Sequence, residues 1–218
     1  MSWLFIFLFI TGCSGYRFTQ QDNPLAQYGI KTLSVPMFFN YSNQPEVSND
    51  FTRDVYKTLS SFKGLKIKSG YNPDSDAVLF GIIKSPEKIY LTQSPNNLRA
   101  AQQVAGNAIG SKRGNFYIPG VTEISMFLQV IVIKKPTEEE MILLKSGIGD
   151  KVRLSSRIIF NETLPLKTQY TREVFDNSSG SDAVSITGTQ NAGIKRKTLR
   201  TLSEQAAISV RDLILYAF

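Results

Sequence analysis

Apolar positions recur along this chain at two different spacings, and the places where the spacing changes mark the elements. Gly29 opens Ile30 to Pro36, a strand that puts Leu33 and Val35 on one face. From Val47 the period lengthens: Val47, Phe51, Val55, Leu59 and Phe62 lie at helical spacing, with Asp50, Arg53, Asp54 and Lys57 on other faces. Pro45 suits the approach to a first helical turn and Gly64 suits the stop. Leu65 to Lys68 alternates as a short strand, and Asn72-Pro73-Asp74 makes a turn. Asp76 to Ile83 is apolar on both faces, which predicts a central strand. Glu123 to Ile133 alternates over the longest run, and Leu154 to Thr163 reads as its antiparallel neighbour. A second amphipathic helix closes the chain on a stripe of Leu199, Leu202, Ala206, Val210, Leu213 and Ala217. Thr201-Leu202-Ser203-Glu204 matches a capping box at its start, with Thr198 as an earlier alternative.

Three segments break this pattern. Residues 94–120 are rich in Asn, Gln, Ala and Gly and read as a long loop or insertion. Residues 134–150 are longer than a hairpin turn requires, and strand extensions and a short helix fit them equally. Residues 177–193 are rich in Ser, Gly, Asn and Thr and read as a loop. The order strand, helix, strands, helix predicts a single α+β domain over residues 29–218. Its two helices pack on one face of a mixed or mainly antiparallel sheet of about four to five strands.

The N-terminus has a different character. Leu4 to Ile10 is a continuous apolar run of signal-peptide size, far short of the about 20 residues a membrane span needs. It leads into Ile10-Thr11-Gly12-Cys13, which resembles the bacterial lipobox: a branched apolar residue, two small residues and the cysteine that is acylated. Met1-Ser2-Trp3 carries no Lys or Arg, a departure from the usual positive start. Residues 1–12 are therefore expected to be a lipoprotein signal peptide, and residues 13–28 a lipidated linker. Several acyl chains on Cys13, each buried methylene worth about 0.8 kcal/mol, would make a permanent anchor. Ser14, where an Asp commonly retains such proteins in the inner membrane, is compatible with the outer membrane. Asn40, Asn161 and Asn177 head glycosylation sequons that this bacterial route makes chance occurrences.

Composition then narrows the chemistry. The 218 residues carry a net charge of +7, one cysteine and no histidine. That removes the usual general base, the commonest metal ligand and any thiolate cluster. No GxSxG or SxxK lies in a strand–turn–helix setting. The expectation is a protein with no catalytic residues, no metal and no cofactor. The positive charges are scattered, apart from Lys195-Arg196-Lys197, which does not favour nucleic acid. An anionic lipid surface or a solvated exterior fits them as well.

Read together, Cys13-Ser14-Gly15-Tyr16-Arg17-Phe18, Gly29 to Asn40 (GIKTLSVPMFFN), the helix from Glu46, Asp76 to Gly81 (DAVLFG) and the C-terminal helix resemble the LPS-assembly lipoprotein family (LptE-type). The likeness covers most of residues 13–85 and about the last 25; the three unpatterned segments depart from it. The resemblance implies an outer-membrane lipoprotein on the periplasmic side. It would plug a β-barrel LPS-assembly protein, help that barrel fold, and bind lipopolysaccharide during delivery to the outer leaflet. A binder of acylated phosphates needs Lys or Arg beside apolar surface. Lys134, Lys135, Lys151 and Arg153 would gather if the two long strands form a hairpin, and Lys84 and Lys88 follow the central strand. The competing reading of each is a solvated charge at a strand end. Two other classes stay open: a lipoprotein of another envelope transport or secretion complex, and a cell-wall-acting enzyme.

Overall fold

The computed structural model describes residues 22–86, 98–100, 117–119, 121–145, 155–172 and 182–217. Its centre is a six-stranded mixed sheet. The strands β1 (Thr32–Val35), β2 (Phe39–Tyr41), β3 (Lys66–Ser69) and β4 (Ala77–Lys84) pair in parallel. β7 (Val121–Lys134) and β8 (Ile158–Thr171) continue the sheet antiparallel beyond β4. A separate pair, β5 (Leu98–Ala100) and β6 (Tyr117–Pro119), falls within the segment read as an insertion. The helices are α1 (Val47–Leu59), α2 (Glu138–Lys145) and α3 (Asp182–Ala217).

The expected α+β domain is present, with one strand more than the upper expectation. The addition arises at Pro36, which has no amide hydrogen to give a ladder. β1 and β2 consequently meet β4 as two short segments, Leu33 opposite Ala77 and Phe39 opposite Ile82. β4 is buried on both faces, as its unbroken apolar run predicts. On one face Leu33, Val35, Leu79, Met126, Leu128 and Val130 meet Phe51 and Val55 of α1 and Leu202, Ala206 and Val210 of α3. On the other, Val78, Phe80, Ile82, Ile131 and Ile133 form a smaller core with Met141 and Leu144 of α2.

Several expectations change. The segment 134–150 contains α2, so helices cover both faces of the sheet. A capping box starts α2: Thr137 N–H donates to Glu140 Oε2 (2.8 Å) and Glu140 N–H to Thr137 Oγ1 (3.3 Å). The loop read at 177–193 is helical from Asp182 onward, across Gly188 and Gly193. Lengthening a formed helix is much easier than starting one, and Ile194 and Leu199 pack against the core, offsetting the roughly 1 kcal/mol per glycine. Thr201 to Glu204 is accordingly helix interior, not a cap. β8 begins at Ile158 rather than Leu154 and runs past Thr163 to Thr171. Pro165 is tolerated there because β8 is an edge strand and the proline is exposed. Lastly, the end of the segment read as linker is folded. Pro24–Tyr28 is a 3-10 turn capped by Asn23, Leu25 is fully buried, and Asp22 bridges to Lys63. Leu25 supplies the apolar contact that holds this entry to the domain.

Polar side chains fasten the parallel half. Asp76 Oδ2 accepts from Lys31 N–H, Thr32 N–H and Thr32 Oγ1–H, each at 2.9 Å. These bonds, the Lys31 amide first, hold its carboxyl below the usual range. Asn40 Oδ1 accepts from Ser42 N–H and its Nδ2 donates to Gln44 O, which shapes the turn into α1. Asp54, read on a face of α1 other than its apolar stripe, is buried against α3, where Ser203 Oγ donates to it at 2.5 Å. Burial pushes the Asp54 carboxyl up, but the bonds from Arg53 and Ser203 outweigh it and leave it lowered.

Candidate functional site

β7 and β8 pair along their length, Val121 opposite Thr171 through Ile133 opposite Ile158. The hairpin expected of the two long strands is therefore formed, and it brings the end of β7 beside the start of β8. A register shift between Val132 and Ile133 leaves Ile159 as an extra residue, a bulge of the kind that re-aims side chains at a sheet end.

Next to this bulge lies a groove of about 630 Å³ lined by Tyr28, Lys134, Lys135, Ser156, Arg157, Ile158 and Ile159. Three cations thus stand beside two isoleucines and a tyrosine. Backbone and side chains fix them in place. Lys134 N–H donates to Arg157 O at 2.9 Å, and Lys134 Nζ donates to Tyr28 O at 2.7 Å. Lys135 has a left-handed backbone (φ 43°), and its N–H donates to Asp76 O at 3.2 Å. The strand direction ends there, and the chain turns toward α2. Arg157 Nη1 donates to Lys135 O (3.3 Å) and lies 3.6 Å from Glu140. Glu140 also accepts from Ser155 Oγ–H and the Thr137 amide. Burial raises the Glu140 carboxyl, but these bonds outweigh it and keep it below its usual range, hence charged. An anion entering the groove would meet Lys135 and Lys134 from one strand and Arg157 from the other. Its apolar portion would lie on Ile158 and Ile159.

Of the residues read from the sequence, Lys134 and Lys135 line this groove. Lys84 does not: Ala77 is paired with Lys134 and Lys84 with Phe127, so seven residues of β4 separate them, about 23 Å along the strand. Cys13, Lys88, Lys151 and Arg153 lie outside the described residues. Arg157 and Tyr28 were not among the expected residues. The signal for Arg157 was available, because once β7 and β8 are paired, a cation just before Ile158 must face Lys134. Tyr28 had none, since its carbonyl arrives from a segment read as linker.

No model of a known protein family matches the sequence, and no curated protein matches it. Solved structures give remote likenesses. A Caulobacter crescentus protein described as a lipoprotein aligns over 82% of this chain and 88% of its own, with TM-score 0.36 and 6% identity. Lipoprotein GNA1162 from Neisseria meningitidis aligns over 77% and 99%, with TM-score 0.34 and 9% identity. Rare lipoprotein B from Shewanella oneidensis aligns over 84% and 92%, with TM-score 0.31 and 14% identity. Likenesses this remote carry no argument about what the chain does.

Proposed function

We propose that this chain is an outer-membrane lipoprotein, held on the periplasmic side by lipid on Cys13, that partners and plugs a β-barrel LPS translocon. It would help assemble the barrel and pass lipopolysaccharide toward the outer leaflet, as a binding protein without catalysis. One observation carries the reading: the two stretches that resemble the LPS-assembly lipoproteins, residues 29–40 and 76–81, interlock with each other. Asp76 clamps Lys31 and Thr32, and a Cβ on Gly81 would lie 2.3 Å from the Phe38 ring. Residues that look like separate motifs in sequence act as one structural unit, which favours a shared scaffold over scattered coincidence. The groove at Lys134, Lys135 and Arg157 adds cations beside apolar side chains, the combination that an acylated phosphate requires.

The decisive experiment is purification of the full chain through a C-terminal tag, with identification of the membrane protein that accompanies it. A large β-barrel is expected; a secretion or transport ring instead would overturn the reading. In parallel, Cys13→Ala should release the protein from membranes or block its maturation. Charge reversal at Lys134, Lys135 and Arg157 should weaken LPS binding at least tenfold, and unchanged binding would remove this groove from the proposal.

A further inference from the structure

A second groove lies on the helical face, between the first turn of α1 and the N-terminal part of α3, with a volume of about 630 Å³. Its floor is apolar, from Val47, Leu199 and Met37, which is 63% exposed. Lys195 and Arg196 form one wall, and Lys197 follows them on α3. The acids nearby do not neutralise this wall. Asp50 is taken by Arg53 at 2.9 Å, and Glu46 reaches Arg196 only at 4.0 Å, with both side chains more than four-fifths exposed. A pair of that kind is worth little. Lys195 forms no ion pair among the described residues.

The complementary surface is on the same chain. α2 exposes Glu138 and Glu139, and one turn further Ile142, which is 64% exposed. Glu138 and Ile142 stand four residues apart and therefore share a helix face. Glu140 is occupied by its cap, by Ser155 and by Arg157, so the outward acids are Glu138 and Glu139. The two surfaces are far apart. α1 follows β2, whose Tyr41 pairs with Lys84 at one end of β4; α2 follows β7, whose Lys134 pairs with Ala77 at the other. They also belong to opposite faces of the sheet.

We propose that the groove receives α2 of a second copy, head to tail, with Ile142 seated on Met37, Val47 and Leu199 and Glu138 and Glu139 facing Lys195 and Arg196. The contact joins two different surfaces, so it repeats from copy to copy rather than closing on itself as a twofold dimer. α2 is only about 12 Å long. The contact is therefore smaller than the roughly 800 Å² per partner of a stable assembly. It acts where anchoring on a membrane raises the effective concentration. The contact rests on the lipid-anchor part of the function proposed above and does not require the barrel.

The test uses the full chain in its native envelope, with cysteines placed by Met37→Cys and Ile142→Cys. Under mild oxidation, differently tagged copies carrying one cysteine each should form a mixed disulfide dimer, and copies carrying both should form a ladder. The parent chain, which has Cys13 alone, and each single variant expressed by itself should stay monomeric. Lys195→Glu with Arg196→Glu should cut the cross-linked fraction at least fivefold, as should Glu138→Lys with Glu139→Lys. Joining the two reversals should restore it. Unchanged melting temperatures would show that these exposed positions leave the fold intact. Single variants that cross-link as well as the pair, a pair that does not cross-link, or reversals without effect would each overturn the proposal. Barrel co-purification, scored on the same variants, reports separately on the function proposed above.

Discussion

On one side of the sheet β1, β2 and β3 are short, and side chains help fasten them to β4; on the other, β7 and β8 run together for 14 residues each and their backbones do the fastening. In the first region a few residues make contacts that no neighbour duplicates: Asp76 on the start of β1, Gly81 beneath Phe38, and Asp54 between α1 and α3. In the second, Met126, Leu128, Val130 and Val132 share one burial task, and the register tolerates Glu162 opposite Val130 and Pro165 opposite Phe127. A ladder with that redundancy leaves its ends open to other uses. The candidate groove sits at such an end.

Gly81 tests the comparison hardest. A Cβ there would come within 2.3–2.5 Å of three atoms of the buried Phe38 ring, which cannot retreat without leaving the core. Gly81→Ala should cost about 3 kcal/mol in chemical denaturation, the upper range for overpacking. The mechanism predicts coupling: Phe38→Ala should cost clearly less on the Gly81→Ala background than on the parent. Additive losses would mean that the two residues act independently.

Asp54 comes next. Asp54→Ala would leave the buried Ser203 hydroxyl only the Arg200 carbonyl as acceptor and remove both bonds from Arg53, a loss of about 2–3 kcal/mol. Asp76→Ala should cost less, about 1–2 kcal/mol, because water reaches that strand end. Both carboxyls are held below their usual range in the folded protein, so the folded form binds fewer protons than the unfolded chain. The stability they contribute is complete above the unfolded carboxylate value near 4 and fades as pH falls through their lower folded values. The melting temperature of Asp54→Asn, Asp76→Asn should therefore fall less steeply than the parent's below about pH 4. A parallel acid limb would remove both groups from the account.

These same residues mark how far the sequence could be read. Periodicity located α1, β1, β4 and β7, because each has one dominant apolar face or two. It placed Asp54 outside the core, since a carboxylate on an amphipathic helix counts as polar until its partner on a distant helix is known. It stopped β8 at Thr163 before Pro165 and stopped α3 at the glycines, because local propensity outweighs tertiary contacts only on paper. Thr137-Glu138-Glu139-Glu140 did carry a capping signal, masked by the ambiguity of the apolar run after it. Lys134 and Lys135 were legible as a cationic strand end. Arg157 needed the register, and Tyr28 needed the fold.

The smallest expected effect falls on the hairpin. Pro165 is exposed on β8 opposite Phe127, and the outer side of this strand has no neighbour in the sheet order. Replacing it by Ala should change stability by less than about 0.5 kcal/mol, since the ladder to β7 does not depend on one position. A proline on an edge also withholds a donor from any strand that would add there. Pro165→Ala should thus leave the melting temperature nearly unchanged while raising light scattering during prolonged incubation at high concentration. If it instead unfolds the protein as readily as Gly81→Ala does, β8 depends on single residues after all, and the contrast between the two regions fails.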